Sequence, residues 1–186
     1  MAKWLNIANK IISTISGWIV LLTLIVFFVF SLTILPDQAK KAEVYSAESG
    51  SPDLSLFYTS DDLYRMADQF GHEGRMAYVR ARFSFDLAWP AVYGAFLLAS
   101  AAWALGVLTH QNNSWRLLVF IPLLAVIFDL LENTTAAIVI GRFPSPSFFA
   151  ALIAPYFTLL KWIFVVASFA LSVLLSIVAL IKVLKK

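Results

Sequence analysis

The chain contains no cysteine, which excludes disulfides, thiolate metal sites and thiol nucleophiles and leaves the compartment open. Histidine is nearly as scarce. His72 and His110 are the only two, and their loops are expected on opposite sides of a membrane, so they cannot share a metal. Charge is scarce as well: 13% of 186 residues against 61% hydrophobic, with a mean hydropathy of +0.83. A soluble domain carries about a quarter charged residues, so the composition is that of a membrane protein. The net charge of +3 is not gathered on one basic face but scattered over span ends and loops, which argues against nucleic acid as a partner. The chain has no Ser-His-Asp set, no phosphate loop and no HExxH, and nothing in it calls for a cofactor or a metal.

What is present is four long apolar runs, Ile11 to Leu35, Phe83 to Thr109, Leu117 to Ile140 and Phe148 to Ile181. Each is long enough to cross a hydrocarbon core of about 30 Å at about 1.5 Å per residue. The first is longer than the apolar core of a signal peptide and lacks a following small-residue cleavage site, so it reads as a retained span that Pro36 and Asp37 stop. The fourth is too long for one untilted crossing, and Pro155 is the expected break, which leaves a span over 156–181. The expected fold is all-α, a single four-helix transmembrane domain with spans near 11–35, 83–109, 117–140 and 156–181. Both short connections, HQNNSWR and GRFPSPS, make consecutive spans antiparallel neighbours. Lys3, Lys10, Lys182, Lys185 and Lys186 put both termini on the cytoplasmic side.

The sizeable polar stretch, 37–80, then lies outside the bilayer. Glu48 to Pro52 (ESGSP) is turn chemistry, and Thr59-Ser60-Asp61-Asp62 has the hydroxyl cap and acids of a helix N-terminus. That helix should run from about Asp61 to Phe70, its apolar Leu63, Met66, Ala67 and Phe70 lying on the bundle or the membrane surface. Gly71 should end it, and a second helix should start near His72 and run on into the second span.

The chemistry concentrates where charge enters apolar sequence. In RMAYVRARFSFDLAWPAVY, the residues Arg75, Tyr78, Arg82, Asp86, Trp89 and Tyr93 recur every third or fourth position and share one helical face. Asp129, Glu132 and Asn133 share a face of the third span in the same way, about 10 to 17 Å below its outer end, with Lys161 at a similar depth in the fourth. Ionisable groups at such depth are costly and should turn inward. Lys161 is expected to pair with one of the acids, and a remaining carboxylate must find Arg82, a neutral donor such as Tyr93, or a proton. Trp89 and Trp162 stand close enough to the acids to wall a cavity, while the other tryptophans read as interface anchors. GAFLLASA, from Gly94 to Ala101, suggests close helix packing.

The expected site therefore comprises Arg82, Asp86, Trp89, Tyr93, Asp129, Glu132, Asn133, Lys161 and Trp162, between spans two, three and four. Its expected occupant is membrane lipid or another hydrophobic, amphiphilic small molecule. Two alternatives stay open: buried charges that only hold the helices together, and proton or ion conduction.

RARFSFDLAWPAVY, FDLLEN and LLKWIFV, preceded by GHEGR, together resemble a group of uncharacterised bacterial four-span membrane proteins over most of Ser51 to Ala167. That resemblance implies a bacterial cytoplasmic membrane and no particular activity. In architecture alone the chain is similar to the sterol isomerase and sigma-2 receptor group, small helical bundles that hold acids in a pocket open to lipid, and no catalytic residue carries over.

Overall fold

The computed structural model describes residues 1–46 and 50–185, and Glu48 and Ser49 of the expected ESGSP turn lie outside them. The described residues form an all-α bundle without strands. Its helices are α1 (Ala2–Thr14), α2 (Gly17–Val29), α3 (Leu35–Ser46), α4 (Ser60–Gln69), α5 (Gly71–Arg82), α6 (Phe85–Leu108), α7 (Ile121–Arg142) and α8 (Phe148–Leu184). Four helical stretches among the described residues are long and apolar enough to cross a membrane: Gly17–Ser46, Gly71–Leu108, Ser114–Arg142 and Phe148–Leu184. The chain is an integral membrane four-helix bundle.

Helix boundaries differ from expectation at several junctions, for physical reasons. The first apolar run is divided at Ile15, which is extended (φ −90°, ψ 118°), so that α1 is a separate amphipathic helix and the long helix starts at Gly17. Pro36 does not stop that helix. A wide π turn over Phe30–Ile34, in which the Leu35 N–H donates to the Phe30 carbonyl, precedes it. Such a turn loosens the i to i−4 ladder where a proline has no N–H to give and its ring would crowd a carbonyl. The helix therefore runs on as α3, and the first part of the polar stretch is helical too.

Helix α4 starts with a reciprocal capping box. Thr59 Oγ1 accepts from the Asp62 N–H at 3.1 Å, and Asp62 Oδ2 accepts from the Thr59 N–H at 2.9 Å. Its apolar face, Leu63, Met66, Ala67 and Phe70, is buried against Tyr58, Tyr78, Val139 and Ile140, so the polar stretch lies folded down on the bundle. Gly71 makes the turn into α5 with φ +63°, a left-handed conformation open to glycine. The α5 helix does not continue unbroken into the second span, because Phe83 and Ser84 form a turn between Arg82 and α6.

Pro155 does not break the last helix. The α8 helix spans 37 residues, about 55 Å. A proline at 155 leaves the Ala151 carbonyl without its helical donor, and Ser60 Oγ of α4 donates to it at 2.9 Å. The close approach of α6 and α7 is enforced at Gly94, where an added Cβ would stand 2.4 Å from Val126 Cγ2. The two ends of the bundle are distinct. At one, Asn9 of α1 accepts from Arg116 at 2.7 Å and Lys182 of α8 donates to the Val107 carbonyl at 2.8 Å. At the other, Tyr64 of α4 accepts from the Ser147 N–H at 2.8 Å.

Candidate functional site

The site is assembled where α5 turns into α6. Arg82, the last residue of α5, is buried (6% exposed). Asp86 in the first turn of α6 lies one helical turn on, and Arg82 Nη2 meets its Oδ2 at 2.9 Å. The same guanidinium also pairs closely with Asp53, which a one-turn 3-10 helix, Pro52–Leu54, brings in from the polar stretch. The Tyr78 ring, one turn earlier, lies 4.4 Å from Arg82 Cζ. A guanidinium held by two carboxylates over an aromatic face is well compensated for a buried cation.

From α7 the three residues at i, i+3 and i+4 point into the same region, Asp129 and Asn133 nearly buried and Glu132 fully so. Tyr93 of α6 donates its hydroxyl to Asp129 Oδ2 at 2.8 Å, and Asn133 Nδ2 donates to Asp129 Oδ1 at 3.1 Å. Asn133 also donates to the backbone carbonyl of Asp86 at 3.2 Å. That carbonyl lacks its helical donor because residue 90 is proline, so the asparagine mends the helix and links it to the acids.

From α8, Lys161 forms a close ion pair with Glu132 and lies 5.1 Å from the Trp162 ring centroid. Thr158, on the same face one turn earlier, donates to Glu132 Oε1 at 2.9 Å and stands 3.1 Å from the Tyr58 hydroxyl. Trp162 Nε1 donates to the Ser55 carbonyl at 3.0 Å. The loop residues Asp53, Ser55 and Tyr58 thus close over one end of the cluster. Burial raises the Tyr58 hydroxyl pKa well above that of a solvated tyrosine, so it stays protonated and available for hydrogen bonding.

The nine residues expected from sequence all lie in or beside this region, but the first span contributes where none was expected. Trp89 stacks on Phe27 and Phe30 of the first long helix at 5.8 and 5.7 Å, and Phe30 stacks on Phe85 at 5.6 Å. These half-buried rings form an aromatic strip from α2, none of whose own residues is buried, toward Asp86. Asp53, Tyr58 and Thr158 were not expected either. Thr158 could have been found, since it stands three residues before Lys161 on the same face. Asp53 carries no such mark, because a lone acid after a proline in a polar stretch is indistinguishable from its solvated neighbours.

The cluster holds four carboxylates, Asp53, Asp86, Asp129 and Glu132, against two cations, Arg82 and Lys161. Asp86 Oδ2 and Glu132 Oε2 are within ion-pair distance of their cations yet accept no well-directed hydrogen bond, and the buried Tyr78 hydroxyl has no partner among the described residues. Asp53 and Asp86 side chains retain 23% and 13% of their accessibility, whereas Glu132 retains none, so the cluster opens on the Asp53–Asp86 side. Among the described residues no three His, Asp or Glu side chains converge as a metal site, and His72 and His110 lie at opposite ends of the bundle. No family model, curated protein or solved structure matches the chain.

Proposed function

We propose that this protein resides in a bacterial cytoplasmic membrane with both termini inside, and that its outward-half polar cluster binds a lipid-like amphiphile through a cationic headgroup. The observation that carries the reading is the charge count. Two cations cannot neutralise four carboxylates, and since an uncompensated charge in a low-dielectric bundle costs several kcal/mol by order of magnitude, the remaining acids must either hold a proton or meet a further cation. An ammonium headgroup at the Asp53–Asp86 opening supplies positive charge and donors to carboxylate oxygens that have lone pairs to spare. The strip of Phe27, Phe30, Phe85 and Trp89 offers the alkyl chain a path from the lipid, and a cation a favourable aromatic face.

The test is equilibrium binding of a long-chain primary amine to the protein in neutral-lipid nanodiscs, compared with the alcohol of equal chain length. Saturable binding of the amine alone is expected. Asp86→Asn should weaken it about tenfold or more, while Asp61→Asn, on the exposed side of α4, should leave it unchanged. Equal binding of amine and alcohol would remove the reading.

A second reading is favoured by a different observation. Arg82–Asp53, Trp162–Ser55 and Tyr58–Thr158 all tie the loop to the spans, as a clasp serving a structural or accessory role would. In that case Asp53→Asn exposes the loop to protease and no amphiphile changes its rate of cleavage.

A further inference from the structure

The polar stretch between the first two spans contains an uncharged, mostly apolar run, Leu54-Ser55-Leu56-Phe57-Tyr58. Its side chains part in two directions. The Ser55 carbonyl accepts from Trp162 Nε1 at 3.0 Å and the Tyr58 hydroxyl stands 3.1 Å from Thr158 Oγ1, so these two residues face α8. Leu54, Leu56 and Phe57 are left 82%, 68% and 54% exposed. A loop that caps a bundle in water carries its charge outward, yet the acid that begins this one, Asp53, is turned inward to Arg82.

Depth decides what those three side chains meet. The Phe57 ring lies 6.4 Å from that of Tyr156, which pins the loop to α8 between Tyr156 and Trp162. The next charged residue on α8 after Lys161 is Lys182. Trp162 and Tyr156 precede Lys182 by 20 and 26 residues of one continuous helix, about 30 and 39 Å along its axis. A bilayer is about 30 Å thick across its hydrocarbon and about 40 to 45 Å with its headgroups. With Lys182 at one face of the hydrocarbon, the loop therefore lies at the other face, within the headgroup layer. Helix α6 gives the same level, since Trp89 and Asp86 stand 19 and 22 residues before Leu108, beside the Val107 carbonyl to which Lys182 donates. Backbone pairing suits that depth: the Leu54 and Ser55 N–H groups donate to the Ser51 and Pro52 carbonyls at 3.2 and 3.1 Å.

We infer that Leu54, Leu56 and Phe57 insert into the boundary between headgroups and acyl chains, so that the acid cluster is roofed by a lipid-embedded loop and not by a cap standing in water. The exposed Tyr156, Leu159 and Ile163 share one face of α8 and continue the same apolar surface into the hydrocarbon. Tyr156 and Trp162 are the amphipathic rings that such a boundary favours. The inference concerns the outward side of the loop, so it holds whether the cluster beneath takes an amphiphile or only clasps the loop.

Because the chain has no cysteine, single cysteines can be introduced and read one at a time in phosphatidylcholine nanodiscs. Leu54→Cys and Phe57→Cys are compared with Val173→Cys, exposed midway along the α8 span, and with Asp68→Cys, exposed on α4. Labelled with a small bimane fluorophore, the two loop variants should lose fluorescence to phosphatidylcholine brominated high on its acyl chains, as Val173→Cys does, and be insensitive to aqueous iodide. Asp68→Cys should show the reverse. Before labelling, a charged thiosulfonate should modify the loop thiols about tenfold or more slowly than the thiol at position 68, because the reactive thiolate is disfavoured away from water. That second measurement answers the objection that the fluorophore drags the loop into lipid. Quenching of the loop by iodide and not by brominated lipid, or equal thiol reactivity at the loop and at position 68, overturns the inference in favour of a water-exposed cap. Quenching by neither overturns it as well, since the patch is then covered by a second copy of the chain.

Discussion

Asn133 donates its side-chain amide to the backbone carbonyl of Asp86 across the α6–α7 contact, at 3.2 Å. The carbonyl is open because Pro90 cannot donate to it. One side chain therefore repairs a helix, positions the first acid of α6 and, through its second amide hydrogen, holds Asp129. Asn133→Ala should destabilise the protein by about 1 to 3 kcal/mol, since it leaves buried acceptors unsatisfied. Pro90→Ala returns a donor to the Asp86 carbonyl. In that background the cost of Asn133→Ala should shrink by about 1 kcal/mol, a coupling measured by a double-mutant cycle of unfolding in detergent. Strict additivity would show that the amide does not serve the broken turn.

The Lys161–Glu132 pair calls for a sharper asymmetry. Both side chains are almost fully enclosed, and among the described residues Glu132 has only Thr158 as a further donor. Lys161→Met strands a carboxylate and should cost about 3 to 5 kcal/mol, whereas Lys161→Met with Glu132→Leu removes both charges and should recover most of the loss. Thermal unfolding of the two variants in the same detergent compares them directly. A double variant no better than the single one would mean that the ion pair supplies net stability rather than mutual neutralisation.

How much of this was legible follows from what each residue's signal depends on. The four spans were legible because apolar length is a local property, and the polar faces of α6 and α7 because a helix converts spacing into direction. The start of α4 was legible in Thr59 to Asp62 for the same local reason, as a hydroxyl cap followed by acids, though not the reciprocal bond from Asp62 back to the Thr59 N–H. The prolines misled. Read locally, Pro36 and Pro155 end helices, yet a π turn absorbs the first, and at the second Ser60 supplies the missing hydrogen bond to the Ala151 carbonyl, 91 positions on in sequence. The aromatic contribution of the first span and the acid at Asp53 were invisible for a related reason. Both depend on which segment folds back over which, and no periodicity encodes that.

The capping box supplies a pH dependence that can be worked out in sign. The backbone N–H and hydroxyl of Thr59, followed by the Arg65 guanidinium, hold the Asp62 carboxyl below its ordinary value of 3.8. A depressed folded-state pKa means that the ionised form is favoured by folding. The contribution of Asp62 is therefore fully present above the ordinary carboxylate range and is lost as pH falls through the folded value. Asp62→Asn removes the charge at every pH while keeping the shape. Hydrogen exchange at the Leu63 to Ala67 amides should accordingly show α4 less protected in Asp62→Asn than in the unmodified protein at neutral pH. The two should converge only as pH falls past the ordinary carboxylate value of 3.8 toward the lower folded value at which the native carboxyl gains its own proton. The other acids titrate in both proteins and cancel in the comparison. A difference in protection that stays constant from neutral to acid pH would place the effect in side-chain shape, not in the carboxylate charge at the helix start.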